Sequence, residues 1–306
     1  MEDSLKSCAR YLLSTLASSA MLGVSVFFGV GSSWACPNID GLVDTNCDRR
    51  LVIVAFGDSI TAGRRDTEGR GYPGRLNTIF PHAEMVNLGI SGEYTYQGRR
   101  RAPGAFAARR EVDYAIILEG VNDYYKSDHS AKITRDNLLQ IRYSARNVGA
   151  EALIGKLTQT SRGFQRPWVS AVNKELTPYS KIDFYSLGTS ILSWDQLHPD
   201  DEGYQEMAEI ASLSLLRAST AIRPLDSDLD GVYDYEEAWH LTNPHNRDSD
   251  GDGISDGDEL YLYGSNPLSL DSDADGISDT QEVALGSNPA DAHPGAPVLN
   301  SLTAIP

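Results

Sequence analysis

The chain has 306 residues, enough for one large or two modest domains with a sizeable core, and a formal net charge of −17. All of that charge lies between Asp226 and Gly295, where fourteen Asp and four Glu face one basic residue, Arg247, while acidic and basic side chains balance elsewhere. No basic stripe is left to neutralise phosphates, which excludes nucleic acid as an expected partner, and the chain reads as two different objects joined near Arg223-Pro224.

Residues 1–35 read as a signal peptide. Lys6 and Arg10 precede an uncharged stretch from Tyr11 to Val30, and the small residues Ser33 and Ala35 fit a signal-peptidase site after Ala35. The expected location is therefore secreted, periplasmic or at the cell surface. Two alternatives stay open. An uncleaved membrane anchor is one, because the run approaches a bilayer-spanning length; a lipid on Cys36 is the other, although Ser33 stands where a lipobox places Leu. Cleavage leaves Cys36 and Cys47 in a segment, 36–50, expected to be peripheral to the sheet, and an exported even pair suggests one disulfide.

Leu51-Val52-Ile53-Val54-Ala55 is apolar without alternation, as a strand buried on both faces would be, and Phe56-Gly57-Asp58-Ser59 ends it abruptly. Ser59 thus sits where a strand opens into a loop, the usual address for ligands in an open α/β sheet. Gly71 to Phe80 reads as a loop and short helix. Met85 to Leu88 is a second strand, closed by Gly89-Ile90-Ser91-Gly92, whose glycines suggest tight turning or close approach to a ligand. Tyr94 to Arg101 reads as a solvated loop ending in three arginines. Tyr114 to Leu118 is a third buried strand, closed by Glu119-Gly120-Val121-Asn122-Asp123. Leu138, Ile141, Ala145 and Val148 then share one helix face. Ala152 to Leu157 and Ile182 to Tyr185 read as strands four and five, Trp168 to Leu176 and Glu202 to Arg217 as helices. This alternation argues for a mostly parallel sheet covered on both faces. Trp168 and Trp194 are expected to pack in the core or at its rim.

Between the fifth strand and the last of these helices lies Asp195-Gln196-Leu197-His198. An Asp three residues before a His in a loop can turn its carboxylate onto the imidazole and fix its tautomer, leaving the other ring nitrogen free to act as a base. His82, His129, His245 and His293 have no carboxylate at that spacing, and His240 follows Glu237 inside the acidic segment.

Four blocks therefore stand in order: Gly57-Asp58-Ser59, Asn87 to Gly92, Gly120-Val121-Asn122-Asp123, and Asp195 to His198. Over residues 51 to 218 this resembles the SGNH, or GDSL-type, hydrolase family. The resemblance implies a flavodoxin-like three-layer α/β/α domain with a five-stranded sheet, and catalysis needing no cofactor. It implies Ser59 as nucleophile, His198 as general base and Asp195 as its orienter, with the N–H groups of Ser59 and Gly92 and the amide of Asn122 as oxyanion donors. Such donors lower the barrier of acyl transfer by about 3 to 4 kcal/mol each. Asp58 and Asp123 are expected to brace turns, since a carboxylate would oppose the developing oxyanion.

The acidic segment repeats itself. Asp226, Asp228, Asp230, Gly231, Asp234 and Glu237 recur as Asp248, Asp250, Asp252, Gly253, Asp256 and Glu259, and again as Asp271, Asp273, Asp275, Gly276, Asp279 and Glu282. Carboxylates at positions 1, 3, 5, 9 and 12 with Gly at 6 match a Ca²⁺ loop. The apolar residue at position 7 and the prolines in the spacers depart from an EF-hand, and spacers such as Gly286-Ser287-Asn288-Pro289 are similar to those of bacterial thrombospondin type 3-like repeats. That resemblance implies a small, irregular module whose folding energy comes mostly from structural Ca²⁺.

The expected organisation is a signal peptide at 1–35, an N-terminal segment at 36–50, a hydrolase domain at 51–218, a linker at 219–225, Ca²⁺-binding repeats at 226–295 and a tail at 296–306. The expected activity is hydrolysis of a small-molecule or glycan ester, including O-acetyl esters, through an acyl-enzyme. A lipase, phospholipase or thioesterase of the same family is the alternative enzyme. A Ca²⁺-dependent surface- or matrix-binding protein with a vestigial hydrolase domain is the alternative of another class.

Overall fold

A computed structural model describes residues 36–109, 111–220 and 225–292. The leader expected over 1–35 and the tail over 296–306 lie outside the described residues. The alternation read from the sequence is present as Val52–Gly57 (β3), Gly71–Ile79 (α1), Glu84–Gly89 (β4), Thr95–Ala107 (α2), Tyr114–Leu118 (β5), Ala131–Arg146 (α3), Glu151–Gly155 (β6), Arg166–Leu176 (α4), Ser180–Ile182 (β7) and Asp201–Thr220 (α5), preceded by a small antiparallel pair, Asn38–Ile39 (β1) and Leu42–Val43 (β2).

The main sheet is parallel with order β4-β3-β5-β6-β7. The chain leaves β3 towards one edge and returns past it to the other. Right-handed crossovers therefore put α1 on one face and α2, α3 and α4 on the other. The packing agrees: α1 lies on α5, α2 on α3, and α3 on α4. β3 and β5 are buried along their whole length, which is why both read as unbroken apolar runs, whereas β4 is an edge strand and reads less cleanly. This strand order reverses at β3, so the carboxyl ends of β3 and β5 open into the crevice where doubly wound sheets bind ligands.

Two expectations need correction. The stretch after Tyr94 is helix α2, not a loop. Gly98, Pro103 and Gly104 hide it from propensity, and tertiary bonds start it: Asp123 accepts from Thr95 N–H at 2.9 Å and from the Thr95 hydroxyl, and Gln97 reaches back to Tyr94 N–H at 3.0 Å. The last strand ends at Ile182, because Asp183 accepts from Ser186 N–H and turns Phe184–Leu187 into a 3₁₀ helix. The segment 36–50 forms its own antiparallel pair outside the five-stranded sheet, and side-chain bonds fasten it there. Leu42 and Asp44 are fully buried, Tyr114 donates to Val43 O at 2.9 Å, and Asp113 accepts from Thr45 and from Val52 N–H at 2.6 and 2.8 Å. Cys36 and Cys47 form a disulfide with Cα atoms 4.7 Å apart.

The acidic segment folds into three loops, each leading into a short helix: Asp234–His240 (α6), Asp256–Asp258 (α7, continuing as a π turn over Glu259–Tyr263) and Asp279–Leu285 (α8). It is seated on α3. Val232 and Tyr261 pack with Tyr143 in a small apolar cluster, Tyr143 donates to Asp258 Oδ1 at 2.9 Å, and Glu236 reaches Arg142 and Arg146 at 3.2 and 2.7 Å.

Candidate active site and acidic loops

At the end of β3 the chain turns so close to β5 that a Cβ on Gly57 would lie 1.9 Å from Leu118 O. Only glycine fits there. Asp58 follows, buried, its Oδ1 accepting from Ile60 N–H at 3.0 Å. Desolvation chiefly pushes its pKa up to about 7. Asp58 shapes the turn that presents Ser59, as expected.

Ser59 Oγ lies 2.8 Å from His198 Nε2, across 139 residues of sequence. His198 Nδ1 lies 2.7 Å from Asp195 Oδ2, while Asp195 Oδ1 accepts from Leu197 N–H at 3.0 Å and His198 N–H at 2.9 Å. Gln196 takes a left-handed φ of +65°, which curls the loop around the Asp195 carboxylate. Burial opposes the charge on Asp195, but these three hydrogen bonds outweigh it and hold the carboxyl well below its ordinary range. Burial lowers the His198 pKa and the Asp195 carboxylate raises it; with Arg64 and Arg162 nearby the net shift is downward from 6.5. Asp195 accepts the Nδ1 proton, so Nε2 is the acceptor facing the Ser59 hydroxyl.

β4 and β5 pair with β3 in register, Gly57 opposite both Gly89 and Leu118. The turns that follow those strands therefore flank Ser59. One carries Gly92 with φ +81°; the other carries Asn122, whose Nδ2 donates to Glu93 O at 2.9 Å. Asp123 is consumed by Thr95 and by the Thr134 hydroxyl at 2.6 Å, a brace as expected.

Several contacts were invisible to spacing. Arg65 donates to Asp195 Oδ2 at 3.1 Å and stacks on the Trp194 ring at 4.2 Å. Arg162 holds Asp195 O at 3.0 Å. Trp194 is 77% exposed, so it is rim and not core, whereas Trp168 is half-buried with its indole N–H on Gly120 O. His82 also has a carboxylate partner, Asp40 at 2.7 Å, from 42 residues away. Arg101 is no solvated residue: it pairs with buried Glu93.

In the acidic loops, Asp226, Asp228 and Asp230 bring carboxylate oxygens within 4.8 Å of one another, as do Asp248, Asp250 and Asp252, and Asp271, Asp273 and Asp275. The loop backbone uses one oxygen of several of these: Gly231 N–H bonds Asp226 Oδ2 at 3.1 Å, Asp252 N–H bonds Asp250 Oδ1 at 3.0 Å, and Ile254 N–H bonds Asp252 Oδ1 at 2.8 Å. The other oxygen, in Asp226, Asp228, Asp250, Asp252, Asp271 and Asp273, is buried without a hydrogen-bond partner, as are both oxygens of Glu237 and one of Glu259. Glu282, at the same place in the third loop, is equally buried. Such orphaned carboxylate oxygens fit a hard cation with oxygen ligands. Position 9 differs. Both oxygens of Asp234, Asp256 and Asp279 accept from the N–H and hydroxyl of Ser227, Ser249 and Ser272, so these residues brace the loops.

Among the described residues, no helix is long and apolar enough to cross a membrane. Residues 55–206 match the GDSL-like lipase/acylhydrolase family, and residues 248–269 and 271–292 match the bacterial TSP3 repeat. A search of curated proteins finds no match. Among solved structures, the chain is similar to a lipolytic protein of the G-D-S-L family from Veillonella parvula (23% identity, TM-score 0.47, 56% of this chain and all of that one). It is similar also to a lipase/acylhydrolase from Enterococcus faecalis (18%, 0.48, 56% and 99%) and to the acetylxylan esterase Axe2 from Geobacillus stearothermophilus (18%, 0.44, 54% and 94%). With its parallel five-stranded sheet, its serine at the first strand's end and its tandem Asp-rich loops, the chain carries a GDSL-like lipase/acylhydrolase domain, an ester-bond hydrolase, followed by bacterial TSP3 repeats.

Proposed function

We propose that the protein is an exported serine esterase that cleaves carboxylic esters, O-acetyl groups on glycans among them, through an acyl-enzyme on Ser59. The observation that carries this reading is the continuous hydrogen-bonded line Ser59 Oγ, His198 Nε2, His198 Nδ1, Asp195 Oδ2 at 2.8 and 2.7 Å. His198 takes the Ser59 proton as Oγ attacks the acyl carbon, then gives it to the departing alcohol. A water activated by the same nitrogen frees the acid. Negative charge on the carbonyl oxygen is met by the N–H groups of Ser59 and Gly92 and the amide of Asn122. Asp195 holds the tautomer and stabilises the imidazolium.

The three loops hold structural Ca²⁺ through Asp226, Asp228, Asp230 and Glu237, through Asp248, Asp250, Asp252 and Glu259, and through Asp271, Asp273, Asp275 and Glu282. Bound there, Ca²⁺ neutralises carboxylates that would otherwise repel. Export is consistent with the disulfide and with a Ca²⁺-dependent module, which suits the millimolar calcium of extracellular spaces.

Ser59→Ala should abolish hydrolysis of short-chain p-nitrophenyl esters, at least 10³-fold, with an unchanged melting temperature and no labelling by a fluorophosphonate. Unchanged turnover in this variant, or a wild-type protein that does not label, would remove the proposal. The second outcome favours a surface-binding protein with an inert hydrolase domain.

A further inference from the structure

Beneath the proposed oxyanion donors lies an ion pair that the reaction itself does not use. Arg101, on α2, grips the Glu93 carboxylate with two bonds, Nε to Oε1 and Nη2 to Oε2, both 2.6 Å. The same Nη2 donates to Leu88 O at 2.8 Å and reaches Gly57 O at 3.5 Å, and the guanidinium lies 3.7 Å over the Phe56 ring. One side chain thus ties the ends of β3 and β4 to Glu93. Glu93 is 5% exposed and follows Gly92; its N–H closes the turn onto Ile90 O at 3.2 Å, and its carbonyl accepts from Asn122 Nδ2.

The setting makes this pair unusual. Asp58, Glu119 and Asp123 are buried close by, and both oxygens of Glu119 lack a hydrogen-bond partner. Arg101 is the cation whose charge acts on Glu119 within this group. Desolvating the Glu93 carboxylate offsets much of what the pair gains, so geometry is the more informative reason for it to stand here.

We infer that Arg101 and Glu93 are positioning residues for the oxyanion donors. Held by Arg101, Glu93 fixes the turn that carries the Gly92 N–H. Its carbonyl engages one amide hydrogen of Asn122 and so fixes the plane of that amide, leaving the second hydrogen for the substrate oxyanion. A lysine cannot replace Arg101, because the grip is bidentate and shared with two carbonyls. This inference rests on the proposed roles of Ser59, Gly92 and Asn122.

A double-mutant cycle tests it on the full chain with a p-nitrophenyl ester. Asn122→Ala should lower kcat by about 10²-fold. Arg101→Met, close in length and uncharged, should lower kcat by about 10- to 100-fold with KM changed less than about threefold, since the effect falls on the transition state. In the Asn122→Ala background the same substitution should cost clearly less than in the wild type, because one of the two donors it positions is gone and only the part exerted through the Gly92 N–H is left. Glu93→Gln, which keeps the carbonyl and weakens the grip, repeats the cycle with a milder change and carries the decision if Arg101→Met does not fold, as judged by circular dichroism. Equal losses in both backgrounds overturn the positioning of Asn122, and kcat unchanged by Arg101→Met or by Glu93→Gln overturns the positioning role altogether. Wild-type kcat in Asn122→Ala instead overturns the oxyanion assignment beneath it.

Discussion

Glu236→Ala probes how the repeats are joined to the hydrolase domain. Glu236 sits between Arg142 Nη2 at 3.2 Å and Arg146 Nη1 at 2.7 Å, and the three side chains are 4, 6 and 8% exposed. Burial pushes the Glu236 carboxyl up, yet the two guanidiniums outweigh it and hold it below its ordinary value. Removing the carboxylate leaves two buried cations without a counter-charge, a cost of about 3 to 5 kcal/mol. The chain has one escape: the repeats can lift off α3 and let water reach both arginines. Lifting off exposes Val232, worth about 1.5 to 3 kcal/mol, and loses the Tyr143–Tyr261 ring pair at 5.1 Å, worth about 0.5 to 1.5 kcal/mol. The two routes cost about the same, so the loss is roughly 3 kcal/mol on either. For a domain of this size that lowers Tm by about 6 to 12 °C. Differential scanning calorimetry at fixed Ca²⁺, with limited proteolysis to detect released repeats, reads both routes. Turnover at 25 °C should stay near wild type, since none of these groups touches Ser59. The control is Arg142→Met/Arg146→Met/Glu236→Met, which removes all three charges and should recover most of the loss. A Tm within 1 °C of wild type in Glu236→Ala, with an unchanged cleavage pattern, would show that the ion-pair cluster does not join the two parts.

Two further outcomes follow from the same geometry. The His198 imidazole must be neutral to accept the Ser59 proton, and its pKa is shifted down from 6.5, so kcat/KM should fall about tenfold per pH unit only below a midpoint lying under 6.5, with a plateau at pH 7 to 8; an acid limb centred above pH 7 would contradict this. Chelating Ca²⁺ should melt α6 to α8 and lower the Tm of the whole chain, because at a free concentration about 100-fold above Kd the ion adds about 2.7 kcal/mol per site; a far-UV spectrum and Tm that ignore the chelator would refute structural calcium.

Much of the molecule was legible because its signals are local. β3 and β5 are buried on both faces, so their sequences are apolar whatever the topology, and the glycines and carboxylates that end them mark the loops where Ser59 and Asn122 stand. Asp195 and His198 share one turn, and their pairing is a matter of three residues' spacing. The Asp-rich loops repeat their own geometry in register. What the sequence could not determine was decided by contacts between distant segments. Strand order put Ser59 beside a histidine 139 residues away. α2 begins because Asp123, on another turn, takes up Thr95, in a stretch whose two glycines and proline lower its own helical propensity. Arg101 in a run of three arginines looks solvated, and only the meeting of β3, β4 and the Glu93 turn gives it a buried partner. The acidic repeats look like a separate string until Arg142, Tyr143 and Arg146 on α3 supply the opposite charge and the apolar surface that α6 and the second loop lack by themselves. Local pattern therefore determined the elements and the chemistry they carry, while long-range burial and charge pairing decided which of them meet.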